Sequence, residues 1–74
     1  MQILAELAAV LHERLEIIGD EESRRDPRRH TERLREVSEK IEVIEHRLPP
    51  TIDPQLRHFL QRRSYNKALE LLMT

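Results

Sequence analysis

Asp26-Pro27-Arg28-Arg29-His30-Thr31-Glu32-Arg33-Leu34-Arg35-Glu36-Val37-Ser38-Glu39-Lys40-Ile41-Glu42-Val43-Ile44-Glu45-His46-Arg47-Leu48-Pro49-Pro50 carries both of its own helix ends. A side-chain oxygen at Asp26 can take an N–H of the first turn, and Pro27 suits the first helical position, where no amide hydrogen is needed. Leu34, Val37, Ile41, Ile44 and Leu48 then recur with 3-4-3-4 spacing, the seam of a helix packed along a second helix. Pro49 and Pro50 end it. The pattern predicts a helix over 27–48, supported by i,i+4 pairs Arg28–Glu32, Arg35–Glu39 and Glu36–Lys40.

A seam needs a partner, and the preceding residues supply one. Ile3, Leu4, Leu7, Val10, Leu11, Leu15, Ile17 and Ile18 fall on an arc roughly 180° wide at 100° per residue. A surface helix facing one core needs little more than about 100°. The excess predicts two packing partners for a helix over 2–18, with Gly19 as its stop and an acidic turn beyond. Arg14 falls in the middle of this arc. Either its stem packs while the guanidinium reaches water, or it pairs with a glutamate of a partner helix.

Downstream, Asp53-Pro54 repeats the start device. Leu56, Phe59 and Leu60 share one side of a helical wheel, whereas Tyr65, Leu69 and Leu72 share nearly the opposite side. A break near 62–64, with Ser64 as N-cap, restores a common face and predicts helices over 54–62 and 65–73. The stiff Pro49-Pro50-Thr51-Ile52 elbow is expected to anchor Ile52 in the core. Ser64-Tyr65-Asn66-Lys67-Ala68-Leu69 resembles the start of the second helix of a tetratricopeptide repeat, in which a tyrosine and an alanine three residues later pack a helix pair. The resemblance spans six residues, with a short preceding helix and no second copy, and family membership is not claimed from it. It implies a packed helix pair over 54–73, of a kind that often binds peptides.

Seventy-four residues make one domain, 1–74, with a core too small to leave much margin. One glycine, two aromatic residues and a high charged fraction fit solvated helices and argue against a sheet or a glycine-rich nucleotide loop. The absence of cysteine removes disulfides, thiolate metal sites and thiol nucleophiles, and fits the reducing cytoplasm expected as its compartment. Glu6 interrupts the apolar opening stretch, Met1 to Leu11, with no basic segment before it, unlike a signal peptide. No run is long and apolar enough to predict a membrane span. The expected fold is all-α: an antiparallel helical hairpin plus a short C-terminal helix pair, completed as a bundle by dimerisation.

Charge is unevenly placed. Residues 1–23 carry six acids and one arginine, giving −5, while residues 24–35 carry six arginines against Asp26 and Glu32, giving +4. His12–Glu16 and Glu42–His46 are i,i+4, but both pairs fall outside the apolar faces, so neither predicts a metal centre. No hydroxyl side chain lies in a nucleophile elbow and no phosphate-cradling loop exists, so no enzyme, cofactor or small-molecule substrate is expected.

The function expected is protein association, as a homodimer or a subunit of a larger assembly, through Ile3, Leu4, Leu7, Val10, Leu11, Arg14, Ile17 and Ile18. The competing expectation on the fold is a compact monomer whose C-terminal helices cover that arc. The competing expectation on function is nucleic-acid binding through Arg24, Arg25, Arg28, Arg29 and Arg33, backed by the 54–73 helix pair. Against it stand a net charge of −1 and the option that the arginines pair with the acidic first segment.

Overall fold

In the computed structural model, which describes residues 2–74, the chain is all-helical, with five packed helices and no strand among the described residues. Met1, the first residue of the apolar opening stretch, lies outside them. Helix α1 spans Gln2–Gly19, α2 Glu21–Arg24, α3 Pro27–Arg47, α4 Pro54–Gln61 and α5 Tyr65–Met73.

Helix α1 is the centre of the molecule. It packs antiparallel along α3 on one flank and receives α5 on the other, while α4 lies chiefly against α5. The wide apolar arc does have two partners, and both belong to the same chain. Leu7 and Leu11 join Ile41, Ile44, Ile52, Leu56, Leu60, Tyr65, Ala68 and Leu69 in one core. Leu7, Leu11, Val37 and Ile41 are the largest side chains sealed from water, each worth about 2 kcal/mol of transfer free energy. The seam of α3 is used as expected, with Val37, Ile41 and Ile44 buried and Leu34 and Leu48 half-buried.

The helix starts follow from their caps. One Asp26 carboxylate oxygen accepts the Arg29 N–H at 3.3 Å, with Pro27 opening α3. Asp53 accepts the Gln55 N–H at 2.8 Å, with Pro54 opening α4. The elbow between them is pinned by Ile52 in the core and by Arg57, whose guanidinium donates to the Pro49 carbonyl at 3.2 Å.

Two local expectations need correction. The acidic turn after α1 is the short helix α2, because Asp20 caps it by accepting from the Glu22 and Ser23 N–H groups at 3.1 and 3.3 Å. Gly19 closes α1 as expected, at a negative φ. Ser64 occupies the N-cap position of α5, but its hydroxyl makes no capping bond.

The break between α4 and α5 is instead made by backbone geometry. Arg63 adopts φ 58°, and the Ser64 and Arg63 N–H groups return to the Phe59 and Leu60 carbonyls at 2.8 and 3.1 Å. That is the Schellman closure, which favours glycine at the position Arg63 holds. The turn puts Tyr65 and Ala68 into the core, as the tetratricopeptide-like fragment implies.

Candidate interface on the helical hairpin

The residues expected to form an interface on α1 divide into three groups. Leu7, Leu11 and Ile17 are covered by their own chain. Ile3, Leu4, Val10 and Arg14 are half-buried. Ile18, with its neighbour Leu15, is exposed at 38 and 36%. Because α5 takes the flank of α1 once assigned to a second molecule, an open surface must be sought on the other side of the hairpin.

That side carries a ladder of ion pairs. Asp20 meets Arg33 at 3.1 Å, Glu13 meets Lys40 at 3.5 Å and Glu6 meets Arg47 at 3.7 Å. The acids step back along α1 by seven residues while the bases step forward along α3 by seven, so each rung sits two turns from the next. The side chains are 40–61% exposed, and each pair contributes about 0–1 kcal/mol at most. The value of the ladder is in register: sliding α1 along α3 by one residue misaligns every rung together. Lys40 is drawn to Glu13 rather than to Glu36, and Arg28–Glu32 does not close either. Of the expected pairs along α3, Arg35–Glu39 forms, at 4.0 Å.

Asp20 is the most committed of the acids. One carboxylate oxygen takes the Arg33 guanidinium and the other caps α2, and these bonds hold its carboxyl below the usual carboxylate range, Arg33 contributing most. Nearby, the Ser23 hydroxyl, in a buried residue, pairs with His30 Nδ1 at 3.0 Å and ties α2 to α3.

Between the rungs lies an open groove of about 680 Å³, lined by Ala9 and Val10 from α1 and by Val43 and Ile44 from α3, with Glu6–Arg47, Lys40, Glu36 and Glu39 around them. Val43 is 58% exposed at its floor. An isolated exposed valine is ordinary, but one set among apolar neighbours in a concave, charge-rimmed surface is the shape of a docking site.

The arginine run is mostly unpaired. Arg33 is held by Asp20, whereas Arg24, Arg25, Arg28 and Arg29 are exposed and make no ion pair among the described residues. The acidic first segment therefore neutralises one arginine of the run and spends Glu6 and Glu13 on Arg47 and Lys40.

Arg14 meets no glutamate among the described residues. It is half-buried and lays its guanidinium over the Tyr65 ring, 5.0 Å from the centroid, so its partner is an aromatic face of the same chain. His12 Nδ1 and Glu16 stand 2.8 Å apart on the outside of α1. Among the described residues no group of three or more potential metal ligands gathers, and no helix is long and apolar enough to cross a membrane.

Comparison with protein-family models, curated proteins and solved structures finds no match for this chain.

Proposed function

We propose that the chain acts by protein association, not catalysis, and that its partner is a second copy of itself docked across the groove between α1 and α3. The observation that carries this reading is Val43, 58% exposed at the floor of an apolar groove bracketed by two rungs of the ladder.

Charge placement selects the copy and its orientation. At the rungs the acids Glu6 and Glu13 lie on α1 and the bases Lys40 and Arg47 on α3, where Glu36 and Glu39 also line the groove. A twofold axis parallel to the hairpin sets each α1 antiparallel over its partner's α3. Acids then face bases and the two grooves close on each other. A twofold axis across the hairpin would stack acid on acid and is disfavoured. The product is a four-helix arrangement in which every neighbour is antiparallel, a common way for a twofold pair to cover two hairpins.

Sedimentation of the full chain across a concentration series tests this. Twice the chain mass is expected at high concentration, and Val43→Glu is expected to return the protein to single-chain mass with its helicity kept, since Val43 supports little of the monomer's own core. A wild-type chain that stays at single mass throughout would overturn the reading.

A second reading rests on the four unpaired arginines, Arg24, Arg25, Arg28 and Arg29, at the closed end of the hairpin. They suit the phosphates of a nucleic acid, whose affinity would fall steeply with salt. Absence of binding at low salt removes it.

A further inference from the structure

A small recess beside α5 is lined by three cations and by side chains that can donate hydrogen bonds, together with their apolar stems. Its lining is Arg14, Arg63, Ser64, Tyr65, Asn66 and Lys67, around a space of about 260 Å³. Three of the six are cations and none is a carboxylate. Arg63 reaches outward toward Glu42 only at 3.8 Å, between largely exposed side chains. Arg14 and Lys67 make no ion pair among the described residues. Three cations around a hollow repel one another unless a negative group sits among them.

Tyr65 supplies an independent sign. The residue is 9% exposed and lines the recess, yet its hydroxyl has no hydrogen-bond partner among the described residues. No buried polar side-chain atom among them lacks a partner, so this oxygen is open to solvent, not sealed in the core. Facing solvent, the Tyr65 hydroxyl can donate to an acceptor that enters the recess. Its ring also fixes Arg14 in place at 5.0 Å, so the guanidinium is pre-positioned with little rotamer freedom left to lose. Ser64, half-buried, leaves its hydroxyl off the α5 N–H groups, so both the hydroxyl and the first-turn amides can face an incoming acceptor.

We infer that this recess binds a single phosphate group, as inorganic phosphate or a phosphate monoester, through Arg14, Arg63, Lys67 and the hydroxyls of Ser64 and Tyr65. The recess is open to solvent and shares no lining residue with the α1/α3 groove.

The test is an NMR titration of the full chain with inorganic phosphate and, in a second arm, with O-phosphoserine, both at ionic strength held constant with sodium chloride. Saturable shifts are expected at the Asn66 and Lys67 amides and at the Arg14 side-chain N–H. Lys67→Gln, at an exposed position that leaves the fold alone, should weaken binding about tenfold, the loss of one charge-assisted contact. Equal or tighter binding of phosphoserine identifies monoesters as the ligand source, and binding of inorganic phosphate alone identifies the free ion. Shifts that grow linearly without saturation, that chloride reproduces, or that survive Lys67→Gln unchanged would overturn the assignment.

Discussion

Asp20 and Arg33, thirteen residues apart, are joined at 3.1 Å by the same carboxylate that caps α2, so one side chain fixes both the start of a helix and the register of the hairpin. Its carboxyl is lowered in the folded chain by Arg33 first and by the Ser23 amide next. A lowered folded value means the stabilisation is present above the ordinary carboxylate range, about pH 4, and is lost as pH falls through the folded value. Carboxyl NMR titration should place Asp20 below the ordinary aspartate range. Arg33→Gln should move it upward and flatten the acid side of the stability profile; an unmoved Asp20 would show that the pair does not hold in solution.

Gly19 closes α1 at a negative φ, and a Cβ built there meets nothing within 4 Å. Alanine would fit the helix and reduce the freedom of the unfolded chain. Gly19→Ala should therefore stabilise by about 0.5 to 1 kcal/mol, seen as a higher thermal midpoint. A lower midpoint would mean that the α1–α2 junction needs conformations only glycine reaches.

Arg63 sits at φ 58°, which costs an L-residue about 1 kcal/mol relative to glycine. Its contact with Glu42, 3.8 Å between side chains 73 and 53% exposed, offsets little of that. Arg63→Gly should gain up to about 1 kcal/mol in denaturant titrations run in phosphate-free buffer. A loss would show that the arginine contributes more than its backbone strain removes.

Leu11 and Leu15 stand one turn apart on α1 with opposite fates, at 1 and 36% exposure. Leu11→Ala should cost about 2 to 5 kcal/mol and leave little folded chain, while Leu15→Ala should cost less than about 1 kcal/mol. Similar losses at the two sites, measured at low protein concentration, would mean that Leu15 is covered by something other than its own chain.

Much of this architecture is legible in the residues. The Asp-Pro starts at 26–27 and 53–54, the 34–48 seam, the anchored Ile52 and the phase break before Ser64 are all local signals, and local signals survive folding. The missed pieces are of two kinds. The α2 turn is four residues long, too short for any periodicity, and only the Asp20 cap marks it. The ladder was present as two seven-residue series, Glu6, Glu13, Asp20 and Arg33, Lys40, Arg47, but a series shows its meaning only when read against its antiparallel mate.

The arc of α1 shows what periodicity leaves open. Periodicity reports that Leu7 and Leu11 must be covered. It does not report whether the cover comes from another molecule or from residues more than fifty positions later. Here it comes from α5, and what the hairpin leaves open is the smaller groove at Val43. The candidate site was thus seen in part, with Val10 on its margin, while Ala9, Val43 and Ile44 carry no pattern that separates them from ordinary helix surface.

The placement of α1 between α3 and α5 also orders events during synthesis. Residues 2–47 can pair as a hairpin before α5 is made, because contacts between α1 and α3 close shorter loops than those between α1 and α5. The other flank of α1 then stays wet through the making of the elbow and of α4, and dries only when Tyr65, Ala68 and Leu69 arrive. Until then the nascent chain presents a greasy strip that chaperones or neighbouring chains can seize, so it is the arrival of α5 that relieves α1 of that risk.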